Sequence, residues 1–191
     1  VAEIGMNHNG NFGLLYELIK QSAYAGADIA KFQLGWRDKP GEINCLTHKE
    51  IKLIIDSCNY FSIEPMFSII KHDALKMISE YNLNYYKVAS RTVKDDPSLV
   101  KEIINKNKTT FISLGMWDIR DRPFGSNKNI KYLWCKSKYP TYPWEMDDFP
   151  KNFNSEGFFG YSDHCAGIDM AILSIARGAQ LVEKHFTLDK S

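Results

Sequence analysis

Short apolar runs of strand length alternate with stretches of helical spacing along nearly the whole chain, a pattern that dictates a parallel α/β domain. Val1–Gly5 reads as a strand. Asn11 is placed to cap a helix from Phe12 to Ala25, on which Leu15, Ile19 and Ala23 share a face and Gly26 is the stop. Ile29–Gln33 is the second strand. Thr47 with Glu50 makes a capping box ahead of Ile51, Ile54, Ile55 and Cys58 at helical spacing. Glu64–Ile70, Tyr85–Ser90, Thr109–Ser113, Ile130–Cys135, Phe158–Ser162 and Leu181–Phe186 read as the remaining strands. Helices are expected over Asp73–Tyr81, from Asp96-Pro97 through Ile104, and over Asp169–Arg177 before Gly178.

Eight strands with mostly helical connections is the count of a (β/α)8, TIM-type barrel. The link between the fifth and sixth strands holds Pro123 and Gly125 with few apolar residues, so a loop is expected there. The last helix is missing, and 191 residues is short for a fold that typically takes about 250. The chain opens on Val1, already in a strand, and stops at Ser191 soon after another. It is therefore expected to be one compact barrel domain over 1–191, a piece of a longer protein.

Polar residues break the strands at their far ends, and there the chemistry is legible. Lys31 and Gln33 alternate onto one face, as do Glu183 and His185, while Glu3, Lys87 and Ser162-Asp163-His164 sit in or end other strands. In a barrel these ends converge on one rim, where active sites form. Burying so many charges unpaired would cost several kcal/mol each, so a cluster that neutralises itself around an anion and a metal is the economical reading. The bland alternative is that Lys31 and Glu183 form buried ion pairs and that each histidine is a satisfied core residue. His164 and His185 lie one strand–helix–strand step apart, and two imidazoles suit Mn, Fe, Co or Zn better than Ca. Lys31 and Lys87, with Ser90, Ser137 and Ser162, offer point charges and hydroxyls for a phosphate or carboxylate. His48 and His72 fall at helix starts and are expected in solvent, His8 is expected to border the rim, and Trp36 is the tryptophan best placed to touch a ligand.

The bulk composition excludes other classes. A net charge of +1 gives no field for nucleic acid or an anionic membrane, and no apolar run approaches a membrane span. Cys45, Cys58, Cys135 and Cys165 are scattered, which points to a reducing, cytoplasmic setting.

Several segments resemble the motifs of the sialic acid synthase family, also called the NeuB family. They are Ala2–Gly10, Gly26–Gln33, Tyr86–Ser90, Ser113–Met116, Tyr139–Thr141, Gly160–His164 and Glu183–Asp189, in the family's order and spanning essentially the whole chain. The resemblance implies a metal-dependent transferase of carbohydrate biosynthesis on a TIM barrel. It condenses phosphoenolpyruvate with the aldehyde form of an N-acetylmannosamine-type sugar to give a nine-carbon ulosonic acid and phosphate. It implies His164 and His185 as metal ligands, with Mn2+ expected and Mg2+ or Co2+ as alternatives. Lys31, Lys87, Ser90, Tyr139 and Ser162 would hold phosphoenolpyruvate, and Gln33 would face the sugar. Glu3 would act at the reacting carbons, Glu183 would support the site, and Ser137 stands where many members carry Asn. Thr92 stands where many have a sugar-contacting Glu, which leaves the acceptor open. The family's C-terminal helix and antifreeze-like domain are absent from the chain, and a homodimer is implied by analogy alone. Two other readings stay open: a ketodeoxy-sugar-phosphate synthase using a phosphorylated aldehyde, with Arg37, Arg91, Arg120 and Arg122 as candidate partners of its second phosphate, and a degenerate barrel that binds sugar without catalysis.

Overall fold

The computed structural model describes residues 1–118 and 120–189. The elements run β1 (Ala2–Gly5), α1 (Phe12–Tyr24), β2 (Ile29–Leu34), α2 (His48–Tyr60), β3 (Glu64–Ile69), α3 (His72–Met77), β4 (Tyr85–Val88), α4 (Ser90–Asp95), α5 (Pro97–Ile104), β5 (Thr109–Ser113), β6 (Ile130–Cys135), β7 (Gly160–Asp163), α6 (Asp169–Ala176) and β8 (Leu181–His185). The strands pair in sequence order as a closed, parallel eight-stranded barrel, the architecture that the alternation predicts. Among the described residues no helix is long and apolar enough to cross a membrane.

The residues divide into two compact units, one built from Val1–Lys87 with the residues from His185 on, the other from Val88–Lys184. In the first, β1, β2 and β3 run parallel, with Glu3 opposite Lys31 and Lys31 opposite Met66. Ile4, Ala30, Phe32, Met66 and Phe67 fill its sheet, and Leu15, Leu18 and Ile19 of α1 with Ile51 and Ile54 of α2 are sealed from solvent. The caps form as expected: Asn11 accepts the Leu14 amide at 3.0 Å, and Thr47 and Glu50 close a capping box. In the second unit β5, β6, β7 and β8 are parallel, and Leu99, Val100 and Ile103 of α5 are buried. Asp96 accepts the Leu99 amide at 3.0 Å just ahead of Pro97. Trp134 packs between Phe149 and Tyr161 as core.

Two boundaries differ from expectation for local reasons. α3 stops at Met77 rather than Tyr81, because the Ser79 hydroxyl donates to the Lys76 carbonyl at 2.6 Å and the backbone tightens into i−3 turns. β4 ends at Val88, and Ser90 opens a short helix, α4, that the sequence does not announce, since Val93 is its one large buried apolar side chain. The link between β5 and β6 carries no helix among its described residues, as Pro123 and Gly125 foretell. There Arg122 donates to the Glu156 carbonyl at 2.6 Å and the Gly157 carbonyl at 3.3 Å and covers the Phe158 ring, which makes it a structural staple.

Gly160 marks the tightest strand approach: a β-carbon there would collide with the Leu181 carbonyl oxygen of β8. Gly160→Ala is expected to destabilise the fold by about 1–3 kcal/mol, the range of overpacked sites, read as a lower urea midpoint with an unchanged slope.

Candidate active site

In the first unit β1 and β2 place an acid and a base face to face. Glu3 and Lys31 are register partners, both buried, with Lys31 Nζ 2.6 Å from Glu3 Oε2. The two groups meet as a buried ion pair. Gln33, two residues beyond Lys31 on the same face, donates from Nε2 to Glu3 Oε1 at 3.1 Å. The strand bends after Glu3, and Gly5, at φ +55°, leaves the room a side chain would take: a β-carbon would lie 2.9 Å from Glu3 Oε1. Lys87, 2% exposed, sits in β4 opposite Ser68. His185 ends β8 exposed, and the residue after it is pinned to β1: the Phe186 amide donates to the Glu3 carbonyl at 2.9 Å, and Asn7 donates to the Phe186 carbonyl at 2.8 Å. His8 is buried with its Nδ1 accepting the Gly10 amide at 3.3 Å, and burial holds its pKa below the usual value. His48 and His72 are exposed, as is Trp36.

The second unit links Ser90, Ser137, His164 and Tyr139 through one chain of contacts and pairs Ser162 with Glu183. The Ser90 hydroxyl accepts the Gly115 amide at 2.9 Å. Gly115 in turn lies so close to Ser137 that a β-carbon would strike its Oγ. Ser137 Oγ is 3.8 Å from Cys135 Sγ, which lies 3.8 Å from His164 Nδ1. The His164 ring has a definite polarity. Its Nδ1 lies 2.9 Å from the Lys136 carbonyl, which can only accept, so Nδ1 carries the proton and Nε2 presents its lone pair. That lone pair accepts the Tyr139 hydroxyl at 2.6 Å, the two rings lying 4.2 Å apart. Ser162 donates to Glu183 Oε1 at 2.9 Å, both side chains being buried register partners of β7 and β8.

A nitrogen whose partner N–H is held by a backbone carbonyl is how proteins present imidazole to a metal, so His164 fits such an ion once Tyr139 turns aside. Among the described residues no three His, Cys, Asp or Glu side chains converge. The arginines expected for a second phosphate are otherwise engaged where their contacts are known: Arg37 pairs with Glu42, Arg120 with Asp118, and Arg122 with backbone carbonyls.

The sequence reading named Asp163 only within a polar strand end and gave no role to it, to Tyr161 or to Lys184. These three interleave with Ser162 and Glu183 at period two, a signal present in the chain but masked by attention to the opposite face.

Comparison with known proteins bears on the family and the fold. The sequence model of the NeuB family matches residues 42–191. An N,N'-diacetyllegionaminic acid synthase from Campylobacter jejuni is 29% identical across the whole chain, which covers 68% of that relative. N-acetylneuraminate-9-phosphate synthase from mouse is 27% identical, again across the whole chain, and the chain spans 62% of its length. A crystal structure of the N-acetylneuraminic acid synthetase from Leptospira borgpetersenii, in complex with citrate, superposes with a TM-score of 0.82 at 24% identity, covering 98% of this chain and 72% of that one.

Because Lys31 and Glu3 are buried and neutralise each other, Lys31→Met is expected to destabilise the fold by roughly 3–5 kcal/mol, the range for breaking one side of a buried pair, measured by urea unfolding near neutral pH.

Proposed function

Since the chain belongs to the NeuB family, we propose that it carries the catalytic barrel of a synthase that joins phosphoenolpyruvate to the open-chain aldehyde of an N-acetylmannosamine-type sugar, giving a nine-carbon ulosonic acid and phosphate. The observation that carries this reading is the buried Glu3–Lys31 pair with Gln33 on Glu3: an acid, a base and an amide fixed on one strand face by neighbouring strands. The names of the Campylobacter jejuni and mouse relatives, both sugar-acid synthases, support it. The chain spans 62% to 68% of those relatives, so the activity proposed is that of the whole protein.

In this reading C3 of phosphoenolpyruvate forms the new bond to the aldehyde carbon, and positive charge grows at C2. Glu3, paired with Lys31, stabilises that charge and steers the water that adds to C2, one proton of that water ending on the former aldehyde oxygen. The C2–O bond to phosphate then breaks as the added hydroxyl becomes the C2 carbonyl, its proton leaving with the phosphate, whose charge is met by the Lys31 and Lys87 ammonium groups. Ser90, Ser137, Tyr139 and Ser162 supply hydroxyls for the carboxylate and phosphate, Glu183 orients Ser162, and Gln33 reads the sugar. His164 would hold a divalent ion, Mn2+ by expectation, with His185 the second ligand that the family resemblance implies. The ion when bound supplies Lewis acidity toward an aldehyde oxygen.

The test is phosphate release by the full-length protein. Release is expected only when phosphoenolpyruvate, an aminosugar and Mn2+ are all present, with the nine-carbon acid seen by mass spectrometry. Lys87→Met is expected to lower kcat by about a hundredfold or more, the scale for losing one charge-stabilising donor. No release across a panel of N-acetylmannosamine, its 6-phosphate and diacetamido hexoses would overturn the proposal.

A further inference from the structure

We propose that Asp163 is a positioning residue that fixes the turn carrying His164, and with it the ring orientation and tautomer that His164 presents. The metal in this inference rests on the synthase reading; the geometry does not.

Asp163 is buried at the end of β7, on the face opposite Ser162. Its Oδ1 accepts the Tyr161 hydroxyl at 2.8 Å and the Cys165 amide at 2.8 Å. Its Oδ2 meets Lys184 Nζ at 2.8 Å, and the same ammonium donates to the Cys165 carbonyl at 2.7 Å. Both backbone polar groups of Cys165 are therefore tied either to Asp163 or to its counter-ion, and His164 is the single residue spanned between them. A rotation of the His164 backbone would break these bonds. From the other side the Lys136 carbonyl takes the His164 Nδ1 proton. The ring is thus set by Asp163 behind it and by Lys136 beside it.

The carboxylate is the group this position demands. A phenol whose proton is held on by burial, an amide and an ammonium converge on it, and all three act as donors. Asparagine has the same shape but turns an NH2 toward one of the three, leaving a buried donor facing a donor. The arrangement also accounts for the place of Lys184 between Glu183 and His185 in β8. Ser162 and Glu183 pair on one face of the β7–β8 ladder and Asp163 and Lys184 on the other, so a single register fixes both.

The experiment compares the full chain with Asp163→Asn, Lys184→Arg and Tyr161→Phe. In protein labelled with 15N-histidine, with His164 assigned through His164→Gln, the unsubstituted chain is expected to show one Nδ1–H tautomer. Asp163→Asn is expected to show a mixture of the two tautomers and to weaken Mn2+ binding tenfold or more, the scale of lost outer-shell partners. Phosphoenolpyruvate affinity without metal should change less than twofold, because Ser162 and Glu183 lie on the other face. Lys184→Arg keeps the charge and should keep both the tautomer and the metal. If Asp163→Asn does not fold, Tyr161→Phe, which removes one donor, should shift the same signal in the same direction. The proposal is overturned if the tautomer and Mn2+ affinity survive in Asp163→Asn, if Tyr161→Phe leaves the signal unmoved where Asp163→Asn cannot be folded, or if Mn2+ and phosphoenolpyruvate binding weaken together. Absence of Mn2+ binding by the unsubstituted chain would instead bring down the metal of the synthase reading, and the tautomer comparison would still decide the role of Asp163.

Discussion

A charged side chain inside a parallel sheet is tolerable only where an opposite charge or a hydrogen bond meets it, and this chain meets the condition between register neighbours. Glu3 faces Lys31 across β1 and β2, Asp163 faces Lys184 across β7 and β8, and Ser162 faces Glu183 one position earlier. Parallel pairing brings such residues side by side without a turn between them, so the register that buries the apolar residues also decides which charges are neutralised. The chemistry rests on that coincidence. A slip of one residue would send Lys31 and Gln33 to the helix-covered face and leave Glu3 alone.

The two faces of a strand do different work. In β2, Lys31 and Gln33 alternate with Ala30, Phe32 and Leu34, which are buried apolar packing. In β7 the division is between polar groups: Ser162 faces Glu183, while Asp163 ties down the turn that follows. Strands carry Glu3, Lys31, Lys87, Ser162 and Glu183, whereas Ser90 opens α4 and Ser137 and Tyr139 stand in the segment between β6 and β7. Gly115 has no room for a side chain beside Ser137, and Gly5 none beside Glu3, so both are fixed by the side chains they admit. The Tyr139–His164 contact shows a third arrangement. An aromatic side chain from an exposed loop meets His164 Nε2 through its hydroxyl and lies against the imidazole ring, so the orientation of that ring and the placement of the loop are coupled.

Much of this is readable in the chain. The eight strands appear where apolar alternation puts them, β5 and β6 to the residue, because short buried strands flanked by turn residues carry a strong local signal. Asn11, Thr47 and Asp96 announce their helices because a cap acts within three residues of its own position. α4 is invisible in the sequence because Val93 is its one large buried apolar side chain and no periodicity marks it, and α3 is shorter than its spacing suggests because a serine hydroxyl competes with the helix from inside. Lys31, Lys87, Glu3 and Glu183 are recognisable as site candidates because a charge inside an apolar run is costly to bury and persists only where a partner or a ligand meets it.

The sequence by itself therefore determined the class of fold, the strand faces that carry charge and the residue types available for chemistry, since all of these follow from periodicity and local composition. Only the tertiary structure decided the partners. That Glu3 takes Lys31 and Gln33, that Ser90, Ser137 and His164 are linked through one chain of contacts, and that Asp163 braces His164 through Lys184 all depend on strand register and loop closure. Those are set by how the whole core packs, and no window of neighbouring residues contains that information.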